Sequence, residues 1–166
     1  SPGINILKNS GQGNPGVLVS AGPSLDLILP HLHRIQKDFL IACVDTALPI
    51  LAKNNIQPDY IFSLDPQLDS TEYFIEYPTE KTRLVFTPTV NHNVLKNFSG
   101  ERYVVYKEGH HLSKDSESAM KEKGTTQAGG SVACLALDML IHVGCDPIFL
   151  TGQDCALAGN RYQSNH

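Results

Sequence analysis

Short apolar runs recur along the chain at intervals that leave room for a helix or a linker between them. Val17-Leu18-Val19-Ser20-Ala21, set between glycines, is the first, and Phe39 to Val44, Tyr60 to Leu64, Arg83 to Thr87, Arg102 to Tyr106 and Pro147 to Thr151 repeat it. Runs of this length, bounded by turn residues and rich in β-branched side chains, are the sequence form of strands buried on both faces of a sheet. Between them the period changes. Leu25, Ile28, Leu29, Leu32 and Ile35 recur at helical spacing after Gly22-Pro23-Ser24, with Ser24 and Asp26 offering capping chemistry and Pro30 predicting a kink or a late start. Ala47 to Asn54 predicts a short helix closed by an asparagine pair. Val132, Leu135, Ala136, Met139, Leu140 and Val143 lay one apolar stripe on a helix that Gly129-Gly130-Ser131 opens and Gly144 closes. Asn9 to Gly16 is a polar, glycine-rich lead-in, and Lys107 to Gly124 reads as a surface loop or lid with a helical turn around Glu117 to Glu122. Strands alternating with helices predict an α/β fold of the Rossmann-like, doubly wound kind: a mainly parallel sheet of about six strands, helices on both faces, right-handed crossovers.

The length of 166 residues suits one domain over positions 1–166, and 41% apolar with 18% charged residues is a globular balance. A net charge of −4 without a basic cluster argues against nucleic acid as partner, because phosphate backbones are gripped by clustered Lys and Arg. Cys43, Cys134, Cys145 and Cys155 form no CxxC pair, so they read as small buried apolar residues in a reducing compartment, with the cytoplasm as the expected location. No apolar run approaches the roughly 20 residues of a bilayer span. An opening at Ser1-Pro2-Gly3 and a polar close at Gln163 to His166 suggest a segment of a longer protein.

Polar residues and glycines accumulate where the strands end: Gly22-Pro23-Ser24, Asp45-Thr46, Asp65-Pro66 and Gly152-Gln153-Asp154, with Gly129-Gly130-Ser131 at a helix start. In open α/β sheets such exits converge on one rim, where ligands bind. Gly22 lets a backbone approach closely, and the helix after it turns free N–H groups toward an anion. The turn is neither GxGxxG nor a Walker motif, and by itself it is also an ordinary βα turn. Ser131, with Thr125, Thr126 and Gln127 near it, suits a phosphate or a ribose hydroxyl; it equally suits a serine N-cap. Asp45, Asp65 and Asp154 can bind ribose hydroxyls, hold a divalent metal or act as a base, while Asp45 also fits a turn-forming role. The seven histidines make no metal signature, and His31, His33, His92 and His142 read as helix-end or surface positions. His110 and His111, in the expected lid, are candidates for acid or base work or plain solvated loop residues. No GxSxG elbow or Cys/His pair supports a hydrolytic nucleophile.

The string GPSLD at Gly22 to Asp26, the stretch from Asp45 to Pro66 (DTALPILAKNNIQPDYIFSLDP) and the stretch from Gly129 to Asp154 (GGSVACLALDMLIHVGCDPIFLTGQD) together resemble the motility accessory factor family. That family shares a domain, called DUF115 or MptE-like, with archaeal 6-hydroxymethylpterin pyrophosphokinases. The resemblance spans nearly the whole chain. It implies a link to flagellin or surface glycosylation with nonulosonic, sialic acid-like sugars from CMP-activated donors. The same turn, helix start and G-x-D exit are similar to bacterial sialyltransferases, which implies that Gly22, Pro23, Ser24, Gly130, Ser131, Gly152 and Asp154 contact the CMP moiety, with Asp65 nearby. The cofactor-binding set expected from both lines is therefore Gly22, Pro23, Ser24, Asp45, Asp65, Gly129, Gly130, Ser131, Gly152 and Asp154. Asp154, His111 and His166 are the candidate catalytic groups, and no metal is required for sugar transfer. The alternative is an ATP-dependent diphosphotransferase acting on a pterin alcohol, with magnesium on Asp65 and Asp154. A third reading is a nucleotide-binding module without catalysis.

Overall fold

The computed structural model describes residues 1–66, 71–75, 77, 79–108, 114–127 and 130–155. After a 3₁₀ turn at Ile4–Leu7 come β1 (Gly16–Val19), α1 (Leu25–Ile35), β2 (Leu40–Val44), a 3₁₀ turn at Asp45–Ala47, α2 (Leu48–Lys53), β3 (Tyr60–Ser63), α3 (Glu72–Ile75), β4 (Arg83–Phe86), α4 (His92–Asn97) and β5 (Glu101–Val104). The short β6 (Tyr106–Lys107), α5 (Lys114–Lys123) and β7 (Thr125–Thr126) lead to α6 (Val132–Val143) and β8 (Ile148–Thr151). Six strands form one sheet in the order β5-β4-β3-β2-β1-β8, every neighbouring pair parallel. The chain steps outward from β1 to β5 and then returns to the other side of β1, so the strand order reverses between β1 and β8. This is the expected doubly wound, Rossmann-like arrangement.

Alternation along each strand divides the core in two. Val17, Val19, Ile41, Cys43, Ile61, Leu84 and Phe86 pack under α1 to α4, against residues such as Leu25, Leu29, Leu51, Phe74 and Val94. Leu18, Ala42, Tyr60, Phe62 and Val85 face the other way and meet Leu135, Ala136, Met139, Leu140 and Val143 of α6, with Ile4 and Leu7 beside them. Each face thus excludes water through side chains two residues apart, which is why the strands read as unbroken apolar runs. β8 departs from this: as an edge strand it leaves Phe149 and Leu150 about half exposed, at 50% and 54%.

Several expectations need correction. α1 begins at Leu25 and runs through Pro30, which sits on the exposed side, where solvent can serve the carbonyl that its missing N–H leaves. Ser24 makes no side-chain capping bond. The segment read as a loop or lid with a helical turn at Glu117 to Glu122 holds a longer helix, α5, and is bounded by β6 and β7, which pair in parallel; α5 is polar nearly all round, so no stripe marked its full length. Cys43 and Cys145 are buried as expected, but Cys134 and Cys155 are exposed. His142 is half-buried, with its Nε2 3.0 Å from the carbonyl of Ile4. Gly144, at φ +89°, closes α6 in the left-handed conformation that favours glycine, and Asn55 at φ +55° ends the turn after α2. Among the described residues no helix is long and apolar enough to cross a membrane.

Candidate functional site

Parallel strands bring all their carboxyl ends to one rim, and each chain segment leaving there must turn through residues small or polar enough for the rim. Ser20, Ala21 and Gly22 after β1, Val44, Asp45 and Thr46 at the end of β2, Asp65 after β3, and Gly152, Gln153 and Cys155 after β8 line a cavity of about 410 Å³. Ser131, Val132 and Ala133 at the start of α6 complete its wall. The cavity therefore lies at the reversal of strand order. A larger cavity of about 680 Å³ is lined by Asn5, Glu108, Met120, Thr125 and His142 among others. It gathers none of the exits of the six-stranded sheet, so chemistry argues for the smaller one.

The exits of β1 and β8 are stitched together. Ser20 donates its N–H to Thr151 O and Gly22 donates to Gly152 O, each at 2.9 Å, and the Gln153 amide donates to Ser20 Oγ at 2.7 Å. Ser24 gives Asp154 Oδ2 two hydrogen bonds, from its N–H at 3.2 Å and from its hydroxyl at 2.9 Å. Asp154 thus supplies the negative group at the positive end of α1, in place of the cap expected from Ser24 itself. The glycines serve this closure: a Cβ on Gly22 would stand 2.1 Å from Asp154 Oδ2 and 2.4 Å from Gly152 O. On Gly152, at φ +69°, it would stand 1.9 Å from Ser20 O.

Asp45 is only 5% exposed. Its Oδ1 accepts the Thr46 N–H and its Oδ2 accepts the Ser63 hydroxyl, both at 2.9 Å. Burial pushes its pKa up, against the pull of its hydrogen bonds to Ser63 and the backbone, and the charge of Asp65 pushes in the same direction as burial. The two carboxylates leave neighbouring strands, β2 and β3, and line the same cavity. Asp65 is held partly through its own carbonyl, which accepts the Asn91 N–H at 3.1 Å. Ser131, also in the lining, caps α6, its Oγ accepting the Ala133 N–H at 3.2 Å. The positive pole of a helix of 12 residues thus ends at the cavity. No lysine or arginine stands among the described residues that line it.

Of the residues singled out from the sequence, Gly22, Asp45, Asp65, Ser131 and Gly152 line this cavity. Ser24 and Asp154 are bound to each other beside it, Pro23 is buried between Gly22 and Ser24, and Gly130 has open space where a Cβ would be. Thr125 and Thr126 do not join them: Thr125 donates to Glu108 and Thr126 to Asp138. Gly129, His110, His111 and His166 lie outside the described residues. His31, His33 and His92 are exposed on helices away from the lining, and among the described residues no three His, Cys, Asp or Glu side chains gather as a metal cage. Thr46 and Gln153, named within the strand exits, line the cavity too; Ser20, Ser63 and Cys155 were not foreseen, and Ser63 sits inside an apolar run and gave no signal.

A family model described as "6-hydroxymethylpterin diphosphokinase MptE-like" matches residues 1–160. A protein of Treponema pallidum (strain Nichols), described as uncharacterized, is 28% identical over 85 residues, covering 51% of this chain and 38% of its own length. The structure of the MAf glycosyltransferase from Magnetospirillum magneticum AMB-1 superposes with a TM-score of 0.73 at 21% identity, covering 92% of this chain and 25% of that one. At that identity the likeness establishes the shared fold. The chain spans well under half the length of either relative.

Proposed function

The chain belongs to the 6-hydroxymethylpterin diphosphokinase MptE-like family, and from that premise we propose that its cleft binds a nucleoside triphosphate and serves transfer of a diphosphate group to an alcohol. One observation carries the choice: Asp45 and Asp65, at the exits of neighbouring strands, both line a cavity whose described lining has no basic side chain. A polyphosphate brought to such a wall is repelled unless a divalent cation lies between. Magnesium is commonly held by one or two carboxylates, with phosphate oxygens and water completing its shell, so this oxygen-only pair fits it without a full protein cage. Bound there, magnesium would neutralise charge that builds on the transferring group. Asp154, engaged by Ser24, is assigned to holding the rim closed.

In this reading the residues of the chain bind and orient. The α6 N-terminus faces phosphate oxygens, Asp45 and Asp65 face the cation, and the stitched exits of β1 and β8 form a floor too close for side chains. The alcohol oxygen attacks the β-phosphorus, the bond to the α–β bridging oxygen breaks, the nucleoside monophosphate leaves, and the alcohol proton passes to solvent. A second reading, transfer of a CMP-linked sugar to flagellin or another acceptor, is supported by the shape shared with the MAf glycosyltransferase and by a lining that tolerates a donor of low charge.

Thermal shifts separate them. A ligand at about 100 times its Kd stabilises by about 2.7 kcal/mol, or roughly 5–11 °C for a chain of this size. ATP with magnesium is expected to give that shift and ATP with EDTA much less. An equal shift from metal-free CMP would transfer the assignment to the sugar donor, and no shift with any nucleotide would end both.

A further inference from the structure

We propose that Ser63 is a positioning residue, whose hydroxyl fixes the Asp45 carboxylate for a divalent cation in the cleft; this rests on the function proposed above. Ser63 closes β3 and Asp45 follows β2, neighbouring strands whose register pairs Val44 with Phe62, so residues 45 and 63 are the next positions along the two chains. The hydroxyl is fully buried. A buried hydroxyl is costly unless it finds a partner, and an alanine or valine would occupy this end of an apolar strand without that cost. Its partner here is Asp45 Oδ2 at 2.9 Å, while Thr46 N–H holds Oδ1 at 2.9 Å.

Two donors from separate backbone segments fix the plane of the carboxylate. Each carboxylate oxygen accepts at two lone-pair positions, so these bonds leave acceptor capacity on a side chain that lines the cavity. Asp65 lies two residues beyond Ser63 on the same strand exit, so the serine that binds Asp45 belongs to the chain segment that carries the second carboxylate. Without the hydroxyl, Asp45 keeps one restraint and turns about its Cβ–Cγ bond. Removal of an outer-shell partner of this kind commonly lowers metal affinity about 10–100-fold.

Titration of the whole 166-residue chain with Mn²⁺ alone, read by electron paramagnetic resonance, tests this in wild type, Ser63→Ala, Ser63→Thr and Asp65→Asn. The expected result is a loss of roughly 10–100-fold in Mn²⁺ affinity in Ser63→Ala, recovery in Ser63→Thr, and loss of the site in Asp65→Asn. Should Ser63→Ala not fold, Ser63→Cys retains the volume with a weak donor and is read in the same way. Wild-type affinity in Ser63→Ala, with Asp65→Asn defective, overturns the role of Ser63 and leaves the proposed function standing. Absence of Mn²⁺ binding in wild type overturns the role of Ser63, and the thermal shift with ATP and magnesium then decides the proposed function separately.

Discussion

Replacing Gly152 with alanine tests how the rim of the sheet is built. At φ +69° an L side chain pays a steric penalty of about 1–2 kcal/mol. The added Cβ would also stand 1.9 Å from the Ser20 carbonyl oxygen. That oxygen cannot retreat easily, because Ser20 and Gly22 are bound through their N–H groups to Thr151 and Gly152. Overpacking of this kind costs about 1–3 kcal/mol, giving about 2–5 kcal/mol with the backbone penalty. For a chain of this size that lowers Tm by roughly 4–20 °C. Gly130→Ala is the control: nothing lies within 4 Å of the added Cβ, and the expected change is within about 0.5 kcal/mol. Circular-dichroism melting of the two variants beside wild type decides the matter. A Gly152→Ala protein that melts with Gly130→Ala and wild type would refute the reasoning that contact between the β1 and β8 exits requires glycine.

Two further outcomes follow from burial. Burial and the charge of Asp65 raise the folded pKa of Asp45 above its unfolded value, so its favourable contribution is present at acid pH and lost as pH rises through the folded pKa. Asp45→Asn, which cannot titrate, should therefore gain stability relative to wild type as pH rises from acid to neutral while losing nucleotide–metal binding; urea midpoints with a pH-independent difference would contradict this. Leu84→Ala, at a fully buried position of β4, should cost about 2–5 kcal/mol, whereas Leu150→Ala on the exposed edge should cost under about 1 kcal/mol, both read from urea midpoints.

The strands and α6 were legible because burial on both faces writes itself as unbroken apolar runs, and a helix over a sheet as a stripe. Other elements carry no such signature. α4 is too short for its period to show, α5 buries Met120 amid polar neighbours, and Ile4 and Leu7 enter the core from a 3₁₀ turn. Edge position is also silent: Ile148-Phe149-Leu150-Thr151 reads like the central strands, yet half of it faces solvent. At the site, the exits were legible because glycine and aspartate interrupt apolar runs. Their pairing was not. Ser24 and Asp154 are 130 residues apart, and nothing local distinguishes a serine that caps its own helix from one that holds a distant carboxylate. Ser63 was hidden in the same way, since a single hydroxyl in an apolar strand gains meaning only from Asp45 beside it.

Alkylation of cysteine tests the central claim most directly. Cys155 is exposed and lines the cleft; Cys134 is exposed on α6 outside the lining; Cys43 and Cys145 are buried. With iodoacetamide and mass spectrometry, saturating ATP with magnesium should slow modification of Cys155 while Cys134 reacts at its former rate. Equal labelling of Cys155 with and without nucleotide would contradict binding between these strand ends.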